Sequence, residues 1–211
     1  MKICQKVLGY IGTNCYLLIH ETTKEAILID PADQAGTIEA WISLQDCVPK
    51  AILLTHGHYD HIGACEALRA KYQIPVCALE AEAELLSDPY ANLTYQTGRG
   101  YGLAPDRLLR DGEELSFAGL NCRVLATPGH TGGSCCYYFA QEEALFSGDT
   151  LFAESVGRTD LPTGNTRQIL ASVRSLADLP AKVSVYPGHG EATTIGYEKQ
   201  YNPYLREGLR W

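Results

Sequence analysis

The chain has 211 residues, 45% hydrophobic and 20% charged, which is the composition of an ordinary globular protein. Its net charge of -8, without any basic stripe, argues against a nucleic-acid partner. No apolar run approaches the roughly eighteen residues of a membrane span, and the N-terminus lacks the apolar core of a signal peptide. We therefore expect a single domain over residues 1–211, located in the cytoplasm and without a membrane partner.

Short apolar and β-branched runs alternate with helical patterns along the chain. The predicted strands are residues 2–7, 15–20, 26–29, 51–54, 76–79, 107–109, 115–117, 122–126, 135–140, 144–146 and 183–186. Helical periodicity appears over residues 38–42, 62–72 and 169–176, and a last helix is expected from about residue 196 to before Pro203. Two β-rich halves, each with helices, favour two sheets packed face to face with the helices outside.

Residues 88–104, DPYANLTYQTGRGYGLA, follow neither a strand nor a helix periodicity. They form the longest irregular stretch and carry three Tyr, three Gly and one Arg. Two interpretations stay open for this segment: a lid over a functional site, or an ordinary surface loop.

Residues suited to metal binding follow the predicted strands at four places in the chain. The motifs are THGHYDH, PGHTGG, SGDTLF and YPGHGE, and their ligand-type residues are His56, His58, Asp60, His61, His130, Asp149 and His189. Catalytic groups are often carried by loops that rigid strands hold in place, and glycine and proline allow such loops to turn closely. We therefore expect these side chains to converge at one edge of the sheet pair.

The spacing within THGHYDH predicts a centre with two metal ions. His56 and His58 are two residues apart and would face the same side of an extended segment. A turn into the following helix would direct Asp60 and His61 to a second ion. Two ligand sets that share Asp149 are expected: His56, His58 and His130 on one ion, and Asp60, His61 and His189 on the other.

Imidazole and carboxylate donors suit divalent zinc, with iron or manganese as alternatives. A closed structural zinc site is usually rich in cysteine, whereas this donor set uses none of the eight cysteines of the chain. Those cysteines lie scattered in apolar segments without a C-x-x-C pair, so they are expected to be reduced and buried.

At this point the motifs resemble those of a known family. THGHYDH matches the H-x-H-x-D-H signature of the metallo-β-lactamase superfamily, and PGHTGGS, SGDTLF and YPGHG resemble its later ligand motifs in the same order. ILIDPA is similar to the family's first motif, whose aspartate, here Asp30, supports the metal loop from outside the ligand shell. The resemblance covers nearly the whole chain. It implies an α/β (α+β) fold, a four-layer αββα sandwich of two mixed β-sheets flanked by helices, with the metals at one edge.

Within that superfamily the chain resembles the short, single-domain bacterial glyoxalase II-like (hydroxyacylglutathione hydrolase-like) proteins. Asp149, the stretch VGRTDLPTG (residues 156–164) and the ending TIGYEKQYNPYL carry this resemblance. It implies hydrolysis of S-lactoylglutathione or related thioesters. β-Lactamases of this fold commonly have Cys where Asp149 stands, which argues against that activity. Typical glyoxalase II also has a helical C-terminal domain for glutathione, which is not expected here because the chain ends soon after His189.

The resulting hypothesis is a hydrolysis in which a hydroxide held between two metals, and oriented by Asp60, attacks the carbonyl of a small-molecule thioester. Arg158 is expected either to contact a substrate carboxylate or to form a salt bridge with Asp160. Further candidates for the pocket wall are Tyr59, Tyr95, Arg99 and Tyr101. The protein is expected to be a monomer or a weak homo-oligomer.

Three alternative functions remain open at the level of sequence. Persulfide dioxygenases resemble this chain in H-x-H-x-D-H and in a GRTD loop like residues 157–160, and they use one iron held by residues that match His56, His130 and Asp149. A lactonase or another hydrolase of the superfamily is the second, because the metal site barely specifies the leaving group. The third is a metal-binding module without catalytic activity.

Overall fold

The structure, a computed structural model, describes residues 1–205. The strands are β1 (Lys2–Leu8), β2 (Thr13–Ile19), β3 (Glu25–Ile29), β4 (Val48–Leu53), β5 (Val76–Leu79), β6 (Arg107–Leu109), β7 (Glu114–Phe117), β8 (Leu120–Ala126), β9 (Cys135–Phe139), β10 (Ala144–Gly148), β11 (Leu151–Phe152), β12 (Ser155–Val156), β13 (Ser184–Pro187) and β14 (Thr193–Thr194). The α-helices are α1 (Ala35–Leu44), α2 (Tyr59–Ile62), α3 (Cys65–Tyr72), α4 (Ala83–Ser87), α5 (Thr166–Leu176) and α6 (Ile195–Tyr201). Two short 3-10 helices cover Glu80–Glu82 and Thr94–Thr97.

Twelve of these strands form two six-stranded sheets. The first has the order β1-β2-β3-β4-β5-β6, antiparallel from β1 to β3 and parallel from β3 to β6. The second has the order β14-β13-β10-β9-β8-β7 and contains one parallel pair, β10 with β13. The strands β11 and β12 form a separate antiparallel ribbon. Both large sheets are therefore mixed, as the resemblance implied.

Three clusters of buried apolar side chains separate four layers. Successive residues of β2 point to opposite faces of the first sheet, and Leu17 and Leu18 accordingly belong to different clusters. The cluster with Leu18 lies between the sheets and includes Phe146 of β10. The cluster with Leu17 includes Trp41 of α1, while α5 packs Val173 against the other face of the second sheet. The layers follow the order αββα, which confirms the predicted fold class.

The predicted strands all occur, with their ends shifted by at most three residues. One helix prediction is wrong: residues 62–72 do not form a continuous helix. The helix is interrupted at Gly63, between the end of α2 and the start of α3. The Gly63 N–H donates to the carbonyl of Ala32 at 2.9 Å, and a Cβ at Gly63 would lie 2.3 Å from that oxygen. The close approach draws this segment against the loop after β3. The short elements β11, β12, β14 and α4 were not predicted.

Most of the cysteines are buried in the part of the chain that the structure describes. All eight cysteines are free thiols, and six of them are buried. Burial raises the pKa of Cys136 to about 12, as expected for an inert thiol in an apolar setting. No helix within residues 1–205 has both the length and the apolar character that a membrane crossing requires.

Candidate metal centre

The structure brings all seven predicted ligand residues together. They are carried by the loop after β4, by the short helix α2, and by the loops that follow β8, β10 and β13. Three groups have ligand atoms within 4.8 Å of one another: His56 with His58 and His130, His56 with His61 and Asp149, and Asp60 with His61 and His189. The first and third groups correspond to the two predicted ligand sets without Asp149.

Asp149 lies between the two sets. Its Oδ1 is 3.4 Å from His61 Nε2, and its Oδ2 is 3.5 Å from His130 Nε2 and 3.6 Å from His189 Nε2. Asp60 Oδ2 is 3.3 Å from His61 Nε2 and 3.2 Å from His189 Nε2. Two atoms that bind one tetrahedral zinc ion at 2.0–2.1 Å lie about 3.4 Å apart. The spacing of these donors therefore fits a pair of divalent ions near Asp149.

Several buried atoms of the cluster have no hydrogen-bond partner. They are His56 Nε2, His58 Nε2, His61 Nε2 and Asp149 Oδ1. Buried polar atoms are normally paired, because an unpaired one costs about 1–3 kcal/mol. In addition, His58 Nδ1 lies 2.9 Å from His130 Nε2, so two ring nitrogens face each other. Unpartnered lone pairs concentrated at one place are what a metal ion would satisfy, and the residues present fit such an ion.

Asp30 orients two of the histidines from behind. It is 1% exposed, and its Oδ2 accepts from His61 Nδ1 at 2.9 Å and from the Thr55 hydroxyl at 2.6 Å. Because that hydroxyl donates to Asp30, it accepts from His56 Nδ1 at 3.2 Å. Both histidines thus carry their proton on Nδ1 and leave Nε2 free as a ligand. Asp30 has the position that the resemblance implied.

The later candidate ligands are held by hydrogen bonds to other segments of the chain. His130 Nδ1 donates to the carbonyl oxygen of Arg158 at 2.8 Å, which leaves its Nε2 free. The loop of His189 is attached to β2 of the first sheet. Asn14 Nδ2 donates to the carbonyl of Pro187 at 2.9 Å, and the Tyr16 hydroxyl donates to the same oxygen at 2.7 Å. These contacts hold a second-sheet ligand against the first sheet.

The shape of the Asp149 site depends on a glycine. A Cβ at Gly188 would lie 2.1 Å from Asp149 Oδ1 and 2.7 Å from His61 Cε1. Any side chain at this position would therefore enter the space between two ligand residues. The glycine of YPGHG is thus explained by the volume that the ligands occupy.

Burial favours the neutral ring that a metal ligand needs at His56 and His58, whereas at His61 and His189 burial is outweighed by Asp60 and Asp149, which raise the pKa. Burial and the neighbouring His130 lower the pKa of His58 to about 3, so its ring is neutral. Burial also lowers the pKa of His56 well below its usual range, and His61 adds to this effect. For Asp149, burial acts to raise the pKa, but the charge of His61 outweighs it and the pKa is lowered. His56 and His58 are therefore neutral beside the ionised carboxylate of Asp149.

Two residues of this network were not predicted from the sequence. Thr13 donates its hydroxyl to Asp60 Oδ2 at 2.7 Å. Glu82 is 1% exposed, and its carboxylate accepts from Gly57 N, Gly133 N and the Thr131 hydroxyl at 2.8, 2.8 and 2.9 Å. Burial raises the pKa of Glu82 to about 7, while these three hydrogen bonds act to lower it.

Glu82 does follow the rule that identified the ligands, because it lies three residues after the end of β5. However, Glu80 and Glu84 flank it at alternate positions, and both are exposed. Only burial distinguishes the three glutamates, and a single sequence does not report burial at this turn.

Two cavities open beside the metal centre, with volumes of about 450 and 480 Å³. They share a wall of Ile11, Tyr59, Asp60 and Gln96, and the second cavity also contains His58, His130, Asp149 and His189. Gln96 belongs to the irregular segment 88–104, which is anchored by the fully buried Asn92. Whether that segment moves as a lid stays a prediction.

The predicted wall residues have different positions. Tyr59 lines both cavities and Tyr101 the first, whereas Tyr95 and Arg99 line neither of them. Tyr95 lies instead against Tyr90, with ring centroids 5.2 Å apart. Arg158 lines the second cavity, but its guanidinium makes two 2.7 Å hydrogen bonds to Asp160, the salt bridge expected as the alternative.

Comparison with known proteins identifies a family and several relatives of this chain. A family model described as the metallo-beta-lactamase superfamily matches residues 8–189. The probable metallo-hydrolase YqgX of Bacillus subtilis is 36% identical over 97% of this chain and 98% of its own length. The hydroxyacylglutathione hydrolase GloC of Haemophilus influenzae is 36% identical over 91% of this chain and 92% of its own length.

Three solved structures are similar over most of the chain. The BLEG-1 B3 metallo-beta-lactamase has a TM-score of 0.91 and 41% identity, covering 97% of this chain and 99% of that one. TTHA1623 in a di-iron-bound form has a TM-score of 0.85 and 35% identity, covering 96% and 100%. ETHE1 from Myxococcus xanthus has a TM-score of 0.80 and 33% identity, covering 96% and 84%. These matches confirm the superfamily that the motifs predicted.

Proposed function

The chain belongs to the metallo-beta-lactamase superfamily, and from this premise we propose that it is a two-metal hydrolase that cleaves S-lactoylglutathione or a related thioester. The observation that carries the proposal is the concentration of unpartnered, buried ligand atoms around Asp149. The likeness to GloC at 36% identity supports the thioester part. The cytoplasm stays our proposed location, and the eight free thiols suit a reducing compartment.

We assign His56, His58 and His130 to one ion, Asp60, His61 and His189 to the other, and Asp149 to both. The distances from Asp149 to ligands of each set, all between 3.4 and 3.6 Å, support a bridging role. Zinc is the metal we expect, and iron is the alternative because one similar structure is a di-iron form. When bound, two divalent ions would lower the pKa of a water towards neutrality and polarise the substrate carbonyl.

Asp60 is the catalytic residue in this proposal. Its Oδ2 accepts from the Thr13 hydroxyl at 2.7 Å, so the carboxylate is held in one orientation beside His61 and His189. In that position it can accept a hydrogen bond from the attacking water and direct it to the carbonyl carbon. The leaving group is a thiolate, whose conjugate acid has a pKa of about 8.5, so no general acid is needed.

The presence of two cavities supports a substrate that extends on both sides of its reacting carbonyl. They meet at Asp60 and Tyr59, and each could accept one side of a thioester whose carbonyl lies at the metals. The first cavity contains the rings of Tyr59 and Tyr101 and the carboxylate of Asp33. The second contains Arg158 on its wall. This arrangement suits an acyl group on one side and a polar thiol carrier on the other.

The decisive experiment measures metal content and substrate range on the same sample, purified without added metal. S-lactoylglutathione, simple lactones, glutathione persulfide and a β-lactam form the panel. The β-lactam is included because a structure at 41% identity is a B3 metallo-beta-lactamase. We expect two metal ions per chain and release of thiol from the thioester. Metal loading without turnover of any substrate would instead indicate a binding module.

The variant Asp60→Asn tests the catalytic assignment. We expect a fall in kcat of about 100-fold or more, because an amide accepts protons poorly and binds metal weakly. Metal content is measured in parallel to separate the two effects. Asp178→Asn, an exposed aspartate in the turn after α5, is the matched control and should behave as the unmodified protein. Unchanged turnover in Asp60→Asn would remove Asp60 from the mechanism.

Persulfide dioxygenase is the second candidate, favoured by the likeness to ETHE1 at 33% identity. In that reading a single iron would be held by His56, His130 and Asp149. One iron per chain, oxygen uptake with glutathione persulfide and no cleavage of thioesters would establish it and overturn the hydrolase proposal. A lactonase would be identified by the same panel.

A further inference from the structure

Glu82 joins the two loops that carry the first ligand set. Gly57, whose N–H donates to Oε1 at 2.8 Å, lies between His56 and His58 in the chain. Gly133, whose N–H donates to Oε2 at 2.8 Å, belongs to the loop between β8 and β9, which also carries His130. One carboxylate thus connects a loop of the first sheet to a loop of the second, and three proposed ligands of one ion depend on these loops.

The hydrogen bonds around Glu82 all point towards the carboxylate. The two backbone groups can only donate, and Thr131 Oγ1 donates to Oε2 at 2.9 Å. Ser134 Oγ lies 2.7 Å from Thr131 Oγ1 and can donate to it. The two hydroxyls then form a chain of hydrogen bonds in which each donates towards the carboxylate. A group surrounded only by donors is satisfied as an anion. Within residues 1–205, no Lys, Arg or His forms an ion pair with it.

The same loops also contact the Glu82 turn closely. A Cβ at Gly133 would lie 2.3 Å from the backbone nitrogen of Glu82, and a Cβ at Gly57 would lie 2.7 Å from Leu86 Cδ2. Gly133 therefore allows its loop to rest directly on this turn, and Gly57 allows the other ligand loop to rest on α4, the helix that follows the turn. The carboxylate of Glu82 therefore lies where the two ligand loops pack against the segment that carries it.

We propose that Glu82 is a positioning residue for the metal ion bound by His56, His58 and His130. Its carboxylate fixes the separation of the two loops that carry these ligands. None of its hydrogen bonds reaches Asp60, His61 or His189, so its effect should be selective for one of the two ions. The inference rests on the proposed metal ligation but not on the choice of thioester as substrate.

The test compares Glu82→Gln with Glu84→Gln, which removes the same charge from an exposed position two residues away. Metal-free protein is titrated with Co²⁺, whose absorption reports each site, and the affinities are measured by competition with a chelator. In Glu82→Gln an amide NH₂ replaces one acceptor. We expect about tenfold weaker binding of one ion, an altered absorption of that ion, and an unchanged second ion. Glu84→Gln should match the unmodified protein.

Thr131 supplies a second variant if Glu82→Gln does not fold. Thr131→Val removes one donor to Glu82 and keeps the shape of the side chain, so the same ion should bind about threefold more weakly. Thr131→Ser keeps the hydroxyl and should restore binding.

Two results would overturn the inference: both ions bound as in the unmodified protein, or both weakened equally together with a lower melting temperature of the metal-free chain. If the unmodified protein bound no metal, the proposed function would fail first.

Discussion

The interior of the metal centre and the rim of its cavities are held in different ways. In the interior, Asp30 and Glu82 are each 1% exposed, and both oxygens of each carboxylate accept hydrogen bonds. At the rim, Tyr10 is fully exposed and Ile11 is 47% exposed. Arg158 is 62% exposed and forms its ion pair with Asp160 in solvent. The interior carboxylates are thus held by buried hydrogen bonds, whereas the rim side chains are exposed to solvent.

This difference separates chemistry from specificity. Buried hydrogen bonds such as those of Asp30 and Glu82 fix their members, because altering one group leaves its partners unpaired in a low dielectric. An exposed ion pair contributes only about 0–1 kcal/mol and is exchanged easily. We therefore expect that the interior determines which metals bind and that the rim determines which substrate is accepted. Substitutions in the two regions should differ in the size and kind of their effects.

The largest effect is expected from Asp30→Asn. The amide nitrogen would replace Oδ2, so the Thr55 hydroxyl and His61 Nδ1 would both lose their acceptor. Because the first of these orients His56, both ions should bind about 10- to 100-fold more weakly. The free energy of unfolding of the metal-free chain should fall by about 1–3 kcal/mol. Chelator competition and denaturant unfolding measure the two quantities.

The matched control for this variant is Asp46→Asn. Asp46 is exposed and has a φ of 50°, a conformation that asparagine also tolerates. It should leave both metal affinities unchanged. If Asp30→Asn weakened only one ion, the interior would consist of two independent supports, Asp30 for one ion and Glu82 for the other.

A smaller effect is expected from Gly188→Ala, which tests whether the interior has any spare volume. The added methyl group would lie 2.1 Å from Asp149 Oδ1 and must displace that oxygen or His61. Overpacking of this kind costs about 1–3 kcal/mol, and we expect roughly tenfold weaker metal binding. Metal content after dialysis, together with the Co²⁺ absorption, would record the displacement.

Gly36→Ala is the same chemical change at a position where a Cβ meets no atom within 4 Å. Gly36 lies in the first turn of α1, so alanine should raise the free energy of unfolding by up to about 1 kcal/mol without altering metal binding. If the two variants behaved alike, the interior would be more plastic than its hydrogen bonds indicate.

The convergence of the candidate ligands in the interior was largely predictable from the sequence, because these residues repeat one pattern. His56, His130, Asp149 and His189 each follow a strand of the pair of sheets, and strand runs are visible as apolar periodicity. The two large sheets were predictable for the same reason. The ribbon of β11 and β12 was not, because strands of two residues have no detectable period. The break at Gly63 depends on contact with Ala32, which is distant in sequence.

The residues that support the candidate ligands differ in how well the sequence predicted them, according to the groups they contact. Asp30 contacts ligand side chains and lies in a motif that the family resemblance identifies. Glu82 accepts hydrogen bonds from backbone N–H groups of the ligand loops. Almost every residue type has such a group, so the sequence of these loops does not identify them as partners of Glu82. Thr13 was missed likewise, because its partner Asp60 is 47 residues away. Tyr95 and Arg99 were predicted as pocket-wall residues, and neither lines the two cavities beside the candidate metal centre.

The smallest effect is expected from Asp160→Asn, which tests whether Arg158 at the rim binds the substrate. If Arg158 binds a carboxylate of the substrate, it must leave Asp160, to which it donates two 2.7 Å hydrogen bonds. Removing that competitor should lower the KM for S-lactoylglutathione about two- to fivefold without changing kcat, while Arg158→Ala should raise KM by a similar factor. A thioester that lacks carboxylates is the control substrate, and its KM should not respond to either variant. An unchanged KM for S-lactoylglutathione in Arg158→Ala would leave the guanidinium as a structural partner of Asp160, and recognition of the thiol carrier would then fall to the first cavity, between Tyr59 and Tyr101.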